Sequence, residues 1–358
     1  MRIEKVRKHL SNNNLDAMLF TDLKNVRYLC GYSGSNGILY VDSKNAIFVT
    51  DFRYKTQVQE EVFGAEIYVP ESGRLYAEVS SKQPIKRITR IGFEKNIDWE
   101  TLNRIKSIFP QNLEWIPSGD FMLELRAVKY PDEIEKIERV VDIAQKALLE
   151  TIPYIKPGAI ERDIAAELEY RMKKKGAERN SFDTIVVSGY RSALVHGIAG
   201  DKKIEKGDFV TIDYGAYAEG YSSDLTRTFI IGEPSQKQKE VYQTVFESQA
   251  KAIEQARPGM KGKELDAVAR RYINDAGYGQ YFGHGLGHGL GLLVHDTPRV
   301  GSRSENILPK NAVITIEPGI YIPDFGGVRI EDDVLLIEGG CKLLSNLPKK
   351  LEEIILPV

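Results

Sequence analysis

Apolar residues recur along this chain at two different spacings, and the alternation between them divides it. Ile3, Val6 and Leu10 fall at helical spacing with charges between them, and the β-prone run AMLF (17–20) follows. GILYV (37–41), AIFVTD (46–51) and ITRIGFE (88–94) read as further strands. Such alternation predicts a small α/β domain over residues 1–125. Near residue 126 the pattern changes. Pro131, Asp132 and Glu133 have helix-start character, with proline in the first turn and acids at the positive end of the helix dipole. Ile134, Ile137, Val140, Val141, Ala144 and Leu148 then predict a long helix that opens a second domain, 126–358. Ile164, Leu168 and Met172 predict another, stopped at Gly176. Two more are predicted, from about Gln236 to Ala256 and from Lys263 to Ala276, each ending before a glycine-containing break. β-Prone runs lie between and after them. The fold class is therefore α+β: a small N-terminal α/β domain, then a curved antiparallel sheet covered by helices.

Two pairs of these runs carry acids. DFVTIDYGA (208–216) and GYSSDLTRTF (220–229) are joined by Ala218-Glu219, a tight turn closed by Gly220. Folding there sets Asp213 opposite Asp224, with Cβ atoms about 4.5–5.5 Å apart. AVITIEPGIYI (312–322) and GVRIEDDVLLIE (327–338) flank Pro323-Asp324-Phe325-Gly326, and folding there brings Glu317 towards Glu331. A single strand acid is usually solvated. Asp213 and Glu317, however, sit among Val, Ile and Thr, where an unpaired charge is costly. Like charges facing each other repel unless a cation separates them. With His288 in GHGLGHGLG, these four carboxylates suit two divalent cations. Oxygen donors favour Mn²⁺, Mg²⁺ or Ca²⁺, and one neutral nitrogen admits Mn, Co, Fe or Zn. Paired cations ionise water at neutral pH and clamp a reacting carbonyl, so a hydrolase is expected.

In residues 283–291 every odd position is glycine. An extended conformation would leave one face as bare backbone, open to close approach by a strand or ligand. A phosphate loop is disfavoured, because the chain has neither GxxxxGK[ST] nor a GxGxxG running from strand to helix. His288 and His295 are seven apart, so an unbroken strand would place them on opposite faces. If both serve one site, a bulge or turn must intervene. The chain has five histidines, and four of them (His196, His284, His288 and His295) fall in these motifs or in VVSGYRSALVHG. The fifth, His9, is expected to be solvated.

On VVSGYRSALVHG, TIDYGAYAEGYSSDLTRTF, FGHGLGHGLGLLVHD and ITIEPGIYIPDFGGVRIEDD, the chain resembles the pita-bread metallopeptidases that cleave beside proline. These are aminopeptidase P and prolidase, relatives of methionine aminopeptidase. The resemblance implies a creatinase/prolidase-like N-terminal domain that caps the site and dimerises, followed by a pita-bread catalytic domain. It implies that Asp213 chelates one metal, Asp224 and Glu331 bridge both, and His288 and Glu317 complete the other. It implies manganese first, with Co, Zn or Fe as alternatives. His196, His284 and His295 become non-ligand histidines of the site, and Arg329, two residues before Glu331, orients that carboxylate. Glu317 would take the proton of the attacking water, and His295 would help stabilise the oxyanion. His196 and His284 would hold the substrate or pass a proton to the leaving nitrogen. Creatinase, which lacks the ligand set, is disfavoured because no acid or histidine of the motif is missing.

YSGSNG (32–37) and TDFRY (50–54) tilt the expectation towards aminopeptidase P over the Xaa-Pro dipeptidase alternative. TDFRY also reads simply as a strand end entering a helix. Arg299, in VHDTPRV, is the candidate reader of a terminal proline's carboxylate, and also reads as an ordinary exposed arginine. A non-catalytic peptide-binding module and removal of initiator methionine are more remote alternatives. A net charge of −2 with interspersed signs offers no stripe for nucleic acid. Cys30 and Cys341 are too few for a disulfide framework or a thiolate zinc site. No apolar stretch suggests a signal peptide or membrane span. A cytoplasmic homodimer acting on Xaa-Pro peptides is the resulting expectation.

Overall fold

The computed structural model describes residues 2–358 and divides into two compact units, one ending at Leu125 and the other running Arg126–Val358. In the first, helix Arg2–Asn12 buries Ile3, Val6 and Leu10, the stripe its spacing predicts. His9 departs from expectation. Its ring is half-buried and stacks on Phe121 with centroids 3.8 Å apart, because an imidazole presents a flat face that an aromatic neighbour can cover.

The sheet of this unit has six strands in the order Glu66–Tyr68, Ala46–Val49, Ile38–Asp42, Ala17–Phe20, Arg90–Phe93, Glu114–Pro117. Its inner strands are the predicted ones. The two outer ones were not legible, being short and only partly buried, so neither shows an alternating pattern. Phe52–Tyr54, in TDFRY, is a single 3-10 turn capped by the Asp51 carboxylate.

In the second unit, helices Pro131–Thr151, Glu161–Lys174, Gln236–Gln255 and Gly262–Asp275 lie where periodicity places them. No helix among the described residues is long and apolar enough to cross a membrane. The strands form several mostly antiparallel ladders. Phe209–Tyr214 pairs with Leu225–Ile231, and Val313–Ile316 with Asp332–Ile337. A bridge between Thr226 and Glu331 brings the two hairpins together.

The first hairpin corrects the expected register. Its loop is Glu219-Gly220, both at positive φ (52° and 90°), and Ala218 pairs with Tyr221. A two-residue turn of this hand needs positive φ at both central positions, which disfavours alanine and requires Gly220 inside the loop. Asp213 consequently faces Thr226, and Asp224 lies two residues along. A slip of two keeps every side chain on its predicted face, so the acids still converge.

The second hairpin keeps one register throughout. Gly319 pairs with Arg329 and Ile316 with Asp332, so Glu317 and Glu331 lie opposite each other in a gap between two ladders. Opposite Ile330 stands Pro318, which accepts the Ile330 N–H but has no N–H to return to the Ile330 carbonyl. Gln249, fully buried on helix Gln236–Gln255, donates its Nε2 to the Ile330 carbonyl and to that of Ile316, each at 3.1 Å. A side chain thus satisfies a backbone group that the ladder releases, and the strand can break where its acids turn inwards.

Candidate metal centre

Asp213 ends its strand with one carboxylate oxygen 2.6 Å from Arg329 Nη2 and the other buried without a hydrogen-bond partner. Asp224 and Glu331 are 5% and 1% exposed, and no cationic side chain pairs with either among the described residues. The Thr226 hydroxyl donates to Glu331 Oε2 at 2.6 Å, and Thr315 donates to Glu317 Oε1 at 3.2 Å. Burial pushes the Asp224 and Glu331 carboxyls well above the usual range, and neighbouring carboxylates push them further. Burial also raises Glu317 to about 8, partly opposed by Arg329.

His288 completes the cage. Its Nδ1 lies 3.1 Å from the Gly289 carbonyl, which fixes that nitrogen as the N–H donor. Burial holds the ring neutral, with its pKa lowered to about 4. The Nε2 lone pair therefore faces Asp224 Oδ2 at 3.5 Å and Glu317 Oε1 at 3.4 Å. Acceptors facing acceptors at this distance need a cation or shared protons between them. Three sets of donors lie close enough to hold an ion: Asp224, His288 and His295; His288, Glu317 and Glu331; and Asp213, Asp224 and Glu331. The donor chemistry and the orphaned Asp213 oxygen fit divalent metal.

The donors open onto a cavity of about 1070 Å³ that also receives His196, His284, His295, Arg299 and Arg329. All the site residues singled out in the sequence thus line one space. The parity problem is resolved by brevity: the strand carrying His288 spans only Gly287–Gly289, its pairing shifts after His288, and a turn returns the chain. The His288 and His295 rings meet edge to face at 4.6 Å.

Arg329 corrects its expected role. Its guanidinium holds Asp213, Tyr321 and Thr226 rather than Glu331. Glu331 has left the ladder that carries Arg329 and bridges to Thr226 instead. Tyr321 was not singled out, although two-residue counting from Glu317 through Gly319 puts it on the same face. Its hydroxyl accepts from Arg329 Nη1 at 2.9 Å and lies 2.9 Å from His284 Nε2. His284 Nδ1 faces the Gly285 carbonyl, so the Tyr321 O–H donates to the imidazole. Burial lowers His284 to about 4, and it too is neutral.

Fold and donor set together are those of a metal-dependent hydrolase. The chain belongs to metallopeptidase family M24, whose model matches residues 135–338, and the creatinase/prolidase N-terminal domain matches residues 2–128. The Xaa-Pro dipeptidase of Pyrococcus horikoshii is 41% identical over 98% of this chain and 98% of its own. A solved Xaa-Pro dipeptidase from Bacillus anthracis superposes with a TM-score of 0.95 at 41% identity, covering 99% of each chain. The X-Pro aminopeptidase of Thermotoga maritima superposes at 0.91 with 40% identity, covering 100% of each chain.

Proposed function

We propose that this protein is an Xaa-Pro dipeptidase in which Asp213, Asp224, His288, Glu317 and Glu331 hold two divalent cations, manganese first among the candidates. The observation that carries the reading is the cage itself, in which four carboxylates and an imidazole lone pair converge and, among the described residues, only Asp213 has a cationic side chain, Arg329, paired with it. Two bound cations would supply an ionised water and polarise the scissile carbonyl. Glu317 takes the proton of the attacking water, and His295, open to the cavity, donates to the developing oxyanion. His196, open to the cavity, holds the peptide or passes a proton to the leaving nitrogen, while His284, with both ring nitrogens engaged by Gly285 and Tyr321, serves to hold the peptide. The bond before proline carries no N–H, so the ring must be recognised by shape. Phe182 and Ile198 offer apolar surface for that in the same cavity.

The tilt towards aminopeptidase P finds no specific support, because proteins named Xaa-Pro dipeptidase match both domains over nearly their whole length. A dipeptide places its free carboxylate directly after proline. Arg299 lines the cavity, exposed and without an ion-pair partner among the described residues, and is suited to read that group. Arg299→Ala should lower kcat/KM for Xaa-Pro about 30- to 100-fold, on the scale of a lost charged hydrogen bond. The value for Xaa-Pro-Yaa should change little. Equal losses on both would remove Arg299 from this role. The aminopeptidase reading remains the second one, in keeping with the likeness to a solved X-Pro aminopeptidase. Under Mn²⁺, faster hydrolysis of Xaa-Pro-Yaa-Zaa than of Xaa-Pro would reverse the order.

Arg329→Lys keeps the charge but cannot reach Asp213, Tyr321 and Thr226 together. Metal affinity should fall about 10- to 100-fold. Calorimetric titration with Mn²⁺ checks this, and unchanged affinity would leave Arg329 a packing residue only.

A further inference from the structure

The three non-ligand histidines sit on segments with little regular structure of their own. His196 lies in a loop between Ser188 and Gly200, His284 in the alternating glycine run, and His295 in the turn before strand Asp296–Val300. Glycine-rich backbone loses the most conformational freedom on ordering, so something outside each segment must hold it.

We propose that three arginine–carboxylate pairs, each with its carboxylate buried, are the positioning residues for these histidines: Glu161 with Arg191 for His196, Asp266 with Arg270 for His284, and Asp296 with Arg126 for His295. The assignment rests on the reading that these histidines meet the substrate. In the first pair, Glu161 is 0% exposed and ties both ends of the loop. Its Oε1 accepts the Ser188 N–H at 2.7 Å, and its Oε2 accepts the Gly200 N–H at 3.1 Å. Arg191 donates to Glu161 Oε2 at 3.1 Å and to the Ile198 carbonyl, two residues past His196, at 2.6 Å.

The second pair lies one turn apart on helix Gly262–Asp275 and is bidentate, at 2.7 and 2.9 Å. Arg270 donates onwards to the Phe282 and His284 carbonyls at 2.9 and 2.7 Å, and Asp266 accepts the Leu286 N–H at 3.0 Å. The histidine is thus gripped by its own backbone and by the residues two before and two after it. In the third pair, Arg126 holds Asp296 at 3.1 and 3.3 Å. Asp296 adjoins His295 and accepts the N–H of Thr297 at 2.9 Å.

A pair with a buried carboxylate adds little net stability over an apolar replacement, whereas charge-assisted hydrogen bonds from a planar guanidinium fix direction well. The pairs act on backbone, so the histidines are directed without contact to the metal donors.

The test combines two readouts on the full chain. Imidazole carbon NMR of the five histidines, assigned by single substitutions, should show Glu161→Gln moving the His196 signal and Asp266→Asn moving that of His284, with His9 unmoved. In kinetics, each variant should lose roughly 30- to 100-fold in kcat/KM, the scale of a ~1 Å misplacement, with Mn²⁺ affinity unchanged. In double-mutant cycles, adding Glu161→Gln to His196→Ala should cost less than about twofold further, whereas adding it to His284→Ala should multiply. Arg191→Lys and Arg270→Lys serve as milder variants if the carboxylate changes prevent folding. Full multiplication with the cognate histidine, or signals that move together or not at all, would overturn the proposal. A wild-type chain without Xaa-Pro hydrolysis would instead defeat the functional reading, and the NMR pattern would still decide the positioning.

Discussion

Glu331→Gln is expected to lower kcat/KM for an Xaa-Pro dipeptide about a thousand-fold, roughly 4 kcal/mol of barrier. The same change should raise the melting temperature of the metal-free protein. Glu331 belongs to two of the three donor sets and is almost wholly buried. With cations bound, its charge is needed. Without them, the charge repels Asp213 and Glu317, and burial already pushes its carboxyl well up. A neutral amide retains the shape and can still accept from the Thr226 hydroxyl, while removing the repulsion. Opposite signs on activity and on metal-free stability separate a ligand from a structural residue. Kinetics with Mn²⁺ and melting with chelator at pH 8 provide both. If activity and metal-free stability fall together, Glu331 holds the fold rather than a cation.

The second large effect is on the wild-type protein. Chelator-treated protein should lose stability as pH rises from 6.5 to 7.5. The sign follows from Glu317, which is pushed from its ordinary 4.5 to about 8. Between those values the folded chain binds a proton that the unfolded chain has released, so raising pH favours unfolding. Asp224 and Glu331, also raised, act in the same direction. Neutral His284 and His288 oppose this below their ordinary 6.5, since lowered histidines stabilise the fold above the unfolded value and lose that effect towards about 4. Burial lowers Lys129 from 10.5 to about 8, so its release of a proton in the folded chain opposes the carboxylates from about pH 8 upwards, and the window from 6.5 to 7.5 isolates them. Added Mn²⁺ should stabilise more at pH 8 than at pH 6.5, because its ligands must be deprotonated. A flat or rising melting temperature without metal would show that the carboxylates are not confined together.

Much of the second domain was legible because its signals are strong and local. Helices such as Pro131–Thr151 combine a proline start with a long apolar stripe. The second hairpin could be folded about Pro323–Gly326 and its register read directly, so Glu317 and Glu331 were paired correctly. The first could not, because one residue of turn placement moves the register by two, and only the need for glycine in the loop decides it. Arg329 was placed on the right face but given the wrong partner, since breaks in a ladder leave little trace in sequence spacing. Tyr321, Thr226 and Gln249 escaped notice because a neutral side chain announces itself only through its partners. In the first domain the missing strands were at the sheet edges, where half-burial erases the alternation.

The most direct test is calorimetric titration of chelator-stripped protein with Mn²⁺ at pH 7, repeated in two buffers of different ionisation enthalpy. Two ions per chain are expected, with release of more than one proton as the raised carboxyls give way to metal. Failure to bind, or binding that releases no protons, would contradict a cage of buried acids built to hold cations.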